Sequence, residues 1–187
     1  MRLFIGVALP VACRKQVDKL LVKLKRKHWP VAWEQGEKLH FTLAFLGEIE
    51  PARLPKVQAI AESSCQGIAP FTLQIKGLGC FPDYFQPRII WLGLKGELQP
   101  LARLQNQLKA ELRQAEFKID ERPFRPHITL GRIRQARFRE RKEIGRQLKG
   151  LRIQEIPEVW FVEQVQVFAS KTLPTGSVYE VVAEVPL

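Results

Sequence analysis

LHFTLAFLG, residues 39–47, and FRPHITLGR, residues 124–132, carry the same tetrad, His-x-Thr-Leu, at His40 and His127. The chain has three histidines in 187 residues, so two of them stand in copies of one pattern. From its own Thr and Leu content, a given histidine is followed by x-Thr-Leu roughly once in three hundred by chance. The repetition therefore needs an explanation. Both tetrads open short apolar runs, and a strand alternates its side chains. His40, Thr42 and Ala44 then share one face, with Phe41, Leu43 and Phe45 on the other. His127, Thr129 and Gly131 likewise oppose Ile128 and Leu130. Each strand is expected to bury its large apolar residues and present His and Thr together on the opposite face, where Ala44 or Gly131 leaves room.

Working outward, residues 2–9 read as a strand, and Pro10 opens a helix where its missing N–H costs nothing. That helix has an apolar stripe (Val17, Leu20, Leu21, Leu24) and a basic face (Lys19, Lys23, Lys25, Arg26, Lys27). Further strands are expected over 39–46, 71–78, 89–94 and 127–133, with helices over 54–65, 98–115 and a basic one over 138–148. Residues 160–169 and 178–185 read as a closing hairpin that turns at PTGS. The class is α+β with two similar strand–helix units. No Pro/Gly/Ser linker divides the chain, so residues 1–187 form one domain with an internal pseudo-repeat.

Thirty Lys and Arg against nineteen Asp and Glu leave a formal charge of +11. Such an excess favours a polyanionic partner, without separating RNA, DNA and a membrane surface, or it serves solubility alone. No uncharged apolar run reaches the length of a membrane span, and a soluble protein is expected. Cys13, Cys65 and Cys80 are odd in number and widely spaced, which suits reduced thiols in the cytoplasm. MRLFIGVALPVAC resembles a lipoprotein signal in outline, but its apolar run is short, Pro10 interrupts it, and RLFIGVAL is a good buried strand.

Two imidazoles facing one another across a cleft can divide the work, one neutral as base and one protonated as acid. Threonine hydroxyls beside them can donate to phosphoryl oxygens. The pair suits an in-line displacement at phosphorus, one histidine taking a proton from water and the other protonating the departing oxygen. Two rivals stand beside this reading. Each His-x-Thr could simply decorate an exposed sheet face, or the histidines could bind a metal. Against a metal, no acidic residue accompanies either tetrad. No GxxxxGK[ST], GxGxxG or GxSxG pattern occurs.

LHFTLAFLG and FRPHITLGR, with RLFIGVALP at the start, RIIWLGL in the middle and the late Ser170, Gly176 and Tyr179, resemble the two-histidine phosphoesterase superfamily. The closer likeness is to its bacterial and archaeal RNA 2′,3′-cyclic phosphodiesterases, historically called 2′-5′ RNA ligases. The resemblance implies a bilobal α+β fold, an antiparallel sheet in each lobe, pseudo-twofold symmetry and a central active-site groove. It implies hydrolysis of RNA 2′,3′-cyclic phosphates to 2′-phosphates without metal or cofactor. His40 would be the proton donor to the leaving 3′ oxygen, His127 the acceptor that activates water, and Thr42 and Thr129 the phosphate ligands. RNA with cyclic ends, tRNA halves among them, or cyclic nucleotides would be the partners of a monomer. Related activities on 2′-5′ linked RNA, in either direction, or silent binding of RNA ends remain alternatives.

Other residues are candidates for substrate binding. Arg132, five residues after His127, falls on the opposite face of an unbroken strand and reaches the phosphate only if the strand bends at Gly131. Arg125 and Arg122 flank the motif in a proline-fixed loop, and Arg88 precedes RIIWLGL. Phe81, Tyr84 and Phe85 occupy a turn-rich loop, where an aromatic ring can stack on a base or cap the core. Trp91 reads as core, and His28 as a cation at a helix C-terminus.

Overall fold

The computed structural model describes every residue except 35, 155, 174 and 175. Its strands are β1 (Arg2–Ala8), β2 (Val31–Trp33), β3 (His40–Glu48), β4 (Phe71–Phe81), β5 (Ile89–Gly96), β6 (His127–Ile133), β7 (Val159–Val162), β8 (Gln164–Leu173) and β9 (Gly176–Pro186). Its α-helices are α1 (Val11–Lys25), α2 (Leu54–Cys65), α3 (Leu98–Gln114) and α4 (Phe138–Gly150). Each helix lays an apolar stripe against the sheet. Val17, Leu21 and Leu24 of α1 and Leu101, Leu104, Leu108 and Leu112 of α3 are all buried in one core. Alternate strand residues meet them there, among them Leu3, Ile5, Phe41, Leu43, Ile90, Leu92, Ile128 and Leu130. The side chains between these face away from the helices.

The strands pair antiparallel throughout, in the order β7-β4-β5-β6-β3-β1-β8-β9, with β2 beside β6. Two similar passages build the centre. In β1–α1–β3 and in β5–α3–β6 the strand after the helix returns beside the strand before it. In both, that second strand opens with the tetrad's histidine. The two second strands then meet through a single pair, Phe41 with Ile128. The sheet expected in each lobe is thus part of one strand order with a one-pair waist.

The closing segment differs from the expected hairpin. Residues 160–169 split at Glu163, because the buried positions run Trp160, Val162, Val165 and Val167, a slip of one residue in the alternation. Before the slip, β7 pairs β4; after it, β8 pairs β1 and β9. One residue therefore links the β7 edge to the far half of the sheet. A single residue spans under about 4 Å, so the sheet must curl until its ends approach, and the Leu187 N–H reaches the Glu163 carbonyl at 2.9 Å. The β8–β9 register runs on to Leu173 with Gly176, while Pro174 and Thr175 of the expected PTGS turn lie outside the described residues. Phe45, expected inside, is 41% exposed. The β1–β3 register shifts beside it, turning its ring out to where the Arg2 guanidinium sits 5.0 Å above. α1 stops at Lys25, and His28 follows in a left-handed turn (φ 54°) instead of ending the helix.

Among the described residues no helix is long and apolar enough to cross a membrane. The three cysteines are free and buried, and burial pushes each thiol up to about 11.

Candidate active site

The waist of the sheet positions the tetrads. Extending the Phe41–Ile128 register by one residue in each direction sets His40 across from Thr129 and Thr42 across from His127. These four half-buried side chains lie on the face away from the core. The outer neighbours supply glycine at both ends of the row through Thr42 and His127: Gly6 pairs with Thr42, and Gly93 with His127. A Cβ on Gly6 would lie 2.6 Å from the Phe41 carbonyl oxygen, and one on Gly93 2.7 Å from that of Lys76. Close strand approach is what excludes larger residues at both.

Each imidazole is fixed by the same bond. His40 Nδ1 lies 2.6 Å from the Lys38 carbonyl oxygen, and His127 Nδ1 2.6 Å from that of Arg125. A carbonyl oxygen only accepts, so Nδ1 holds a hydrogen in both rings. Nε2 is left as the nitrogen that exchanges a proton. Aromatic walls hold the rings in place. Phe4 stacks on His40 at 4.7 Å, Phe168 stacks on Phe4 at 4.7 Å and lies 5.8 Å from His40, and Tyr179 meets His40 edge-on at 5.3 Å. Phe81 meets His127 edge-on at 4.9 Å, and Trp91 lies 6.3 Å away.

Burial pushes both imidazoles below the usual histidine pKa, against the backbone bond that favours their charged form. Neighbouring positive charge lowers them further. His127 and Arg132 act on His40, and Arg132 and Arg122 act on His127. Both rings accordingly favour the neutral form more than a free histidine does, with positive charge from Arg132 and Arg122 nearby.

Arg132 reaches this site because β6 is not an unbroken strand. Its buried residues run Ile128, Leu130 and Ile133, and its register with β5 skips Leu130. That bulge returns Arg132 to the face of His127 and Thr129, where it pairs with Ile89, two residues before Trp91 on the same face of β5. The bulge also leaves Gly131 packed under β2, where a Cβ would lie 2.6 Å from Val31 Cγ1. Tyr179 borders the same charges: burial and then Glu34 raise its phenol, while Arg132 and Arg2 lower it.

The remaining candidates are placed differently. Phe81 belongs to β4, which runs three residues past its expected end, and its ring walls His127. Trp91 is not core: it pairs with Thr129 and folds across Gly79, where a Cβ would lie 2.4 Å from the indole. Among the described residues its buried Nε1 has no hydrogen-bond partner. Arg125 contributes its carbonyl to His127. Arg122 pairs with Asp120. Arg88 is exposed at the start of β5, where its backbone joins Phe81 and Ile133. Phe85 packs against Phe138 and Lys142 of α4, not against either imidazole. Phe4, Phe168 and Glu34 were not foreseen. Phe4 alternates with the core residues Leu3 and Ile5, a phase that marks it as facing the site, whereas nothing local in sequence marks Phe168 or Glu34. Among the described residues no three His, Cys, Asp or Glu gather as a metal site.

The sequence pattern of the 2′-5′ RNA ligase superfamily matches residues 15–156. An RNA 2′,3′-cyclic phosphodiesterase of Thermotoga maritima is 32% identical, covering 98% of this chain and 94% of its own length. A protein of the same name from Thermus thermophilus is 33% identical, covering 100% and 90%. In three dimensions, a crystal structure of a Thermus thermophilus protein matches with a TM-score of 0.83 at 29% identity, over 100% of this chain and 98% of that one. E. coli LigT complexed with 3′-AMP matches with a TM-score of 0.76 at 24% identity, over 100% and 97%, a likeness of fold.

Proposed function

The chain belongs to the 2′-5′ RNA ligase superfamily, and from that premise we propose that it hydrolyses 2′,3′-cyclic phosphates at RNA ends to 2′-phosphomonoesters. The observation that carries this reading is the matched pair of imidazoles, each with Nδ1 bonded to a backbone carbonyl. The relatives' names support the substrate.

The cyclic phosphate carries one negative charge. Thr42 and Thr129 donate hydrogen bonds to its free oxygens, and the Arg132 guanidinium balances the charge. His127 accepts a proton from water through Nε2 as the water oxygen bonds to phosphorus. The bond from phosphorus to the 3′ oxygen breaks in line, and His40 Nε2 gives its proton to that oxygen. A 2′-phosphate and a 3′-hydroxyl remain, and proton exchange with solvent resets both rings. His127 has the low proton affinity that leaves it neutral as a base. His40 must gain a proton to serve as acid, and the bound phosphate anion supplies the opposite charge that favours it. Ring strain and a good fit of donors make this chemistry workable without metal or cofactor. The two strand–helix–strand passages make two lobes related by a pseudo-twofold axis through the waist, each contributing one tetrad to the groove. We take the protein to act as a cytoplasmic monomer on RNA ends such as those of tRNA halves.

The test is end-group analysis of the product from an oligonucleotide bearing a 2′,3′-cyclic phosphate, in the presence of a chelator. A 2′-phosphate is expected; a 3′-phosphate, or no turnover, would refute the assignment.

A further inference from the structure

We propose that the surface formed by the β4–β5 loop and α4 binds the single strand of RNA on the 5′ side of the reacting end. This rests on the groove being the site of that end. Phe81, beside His127, is the last residue of β4, so the loop that follows starts at the rim of the groove. Asp83 Oδ1 accepts the N–H groups of Phe85 and Gln86 at 2.8 and 2.9 Å, a turn that fixes the loop and leaves Phe85 53% exposed. α4 comes so near that a Cβ on Gly145 would lie 1.7 Å from the Tyr84 carbonyl oxygen. Loop and helix thus form one locked surface.

Its chemistry suits a nucleic-acid strand. The Phe85 ring meets Phe138, itself 56% exposed, at 5.5 Å, and Lys142 Nζ lies 5.4 Å from its centre. A hollow of about 400 Å³ runs between Tyr84, Phe85, Arg139, Lys142 and Lys149. Glu143 is taken by Arg146 and Glu140 by the Arg137 backbone N–H. Arg139, Lys142 and Lys149 pair with no carboxylate among the described residues. Exposed rings beside free cations provide stacking for bases and charge for phosphates. The basic face of α1 offers only Val11 and Val22 as exposed large apolar residues and has no ring to stack, so its charge serves solvation.

The experiment compares a cyclic-ended oligonucleotide of about twelve nucleotides with a 2′,3′-cyclic mononucleotide. In Arg139→Ala/Lys142→Ala/Lys149→Ala, KM for the oligonucleotide is expected to rise about tenfold and its salt dependence to weaken by about two in log–log slope. Mononucleotide turnover should hold within about twofold. The charge-matched control Lys15→Ala/Lys19→Ala/Lys23→Ala should change neither appreciably. Phe85→Ala should raise the oligonucleotide KM about fivefold through lost stacking. A parallel anisotropy titration uses a labelled, hydroxyl-ended strand, which needs no catalysis. If the wild type turned over neither substrate while the strand still bound through α4, the proposed activity would fail and this surface stand. Equal effects of the two triple variants on strand binding, or polyglutamate competing as well as RNA with Phe85→Ala silent, would overturn the surface.

Discussion

The His40 and His127 halves of the candidate site use one device in two settings. In both, a strand follows a helix, buries alternate apolar residues and holds a histidine by a 2.6 Å bond to the carbonyl two residues back. The walls differ. His40 sits in a box of Phe4, Phe168 and Tyr179, whereas His127 is walled by Phe81 and Trp91 at the start of an exposed loop. Local sequence repeats the anchor; distant strands make the two rings unequal. In the proposed reaction, the enclosed ring would depend most on the substrate's charge to hold a proton, and the open one would have ready access to water.

The largest effects should come from removing either ring. His40→Ala and His127→Ala are each expected to lower kcat for a cyclic-ended substrate by about 10²- to 10⁴-fold, and the double variant by little more than the worse single one. Steady-state kinetics check this, and multiplying losses would show that the rings do not act as a unit. Next comes the charge shared by both halves. Arg132→Ala should lower kcat/KM about a hundredfold and raise both imidazole pKa values, because that guanidinium lowers both. Arg132→Lys should restore the pKa values without restoring the full rate, since an ammonium lacks the planar fork.

Packing is the third way to separate the halves. Gly6→Ala sets a methyl against the Phe41 carbonyl and should cost about 1–3 kcal/mol in denaturant unfolding. Gly93→Ala should cost a similar amount on the His127 side, so unequal losses would show which half carries the more rigid wall. The smallest effect concerns acid. Both folded-state pKa values lie below the ordinary 6.5, so below pH 6.5 the unfolded chain binds more protons than the folded one. Stability present above that pH is therefore lost as pH falls through the folded values. His40→Asn/His127→Asn should flatten this acid limb, measured by unfolding midpoints from pH 7 downward.

The repeated tetrad made the central strands legible, because period-two alternation and a rare residue pattern are local properties. The later helices were legible from their stripes to within a residue or two, and α2 and β6 at their observed bounds, whereas α1 stops three residues short of His28. What escaped depends on pairing. The one-residue slip at Glu163, the bulge that carries Arg132 to the groove and the three residues of β2 arise from neighbours far along the chain. Trp91 stands between buried Ile90 and Leu92, so alternation alone turns it away from the core, and only the room its indole finds over Gly79 depends on the partner strand.

The central claim is that both rings serve one phosphorus. NMR titration of the imidazole nitrogens of His40 and His127, with and without a bound 2′-phosphomononucleotide, addresses it most directly. The account predicts that ligand moves the Nε2 signals of His40 and His127 together and raises both pKa values. A response confined to one of the two rings would contradict it.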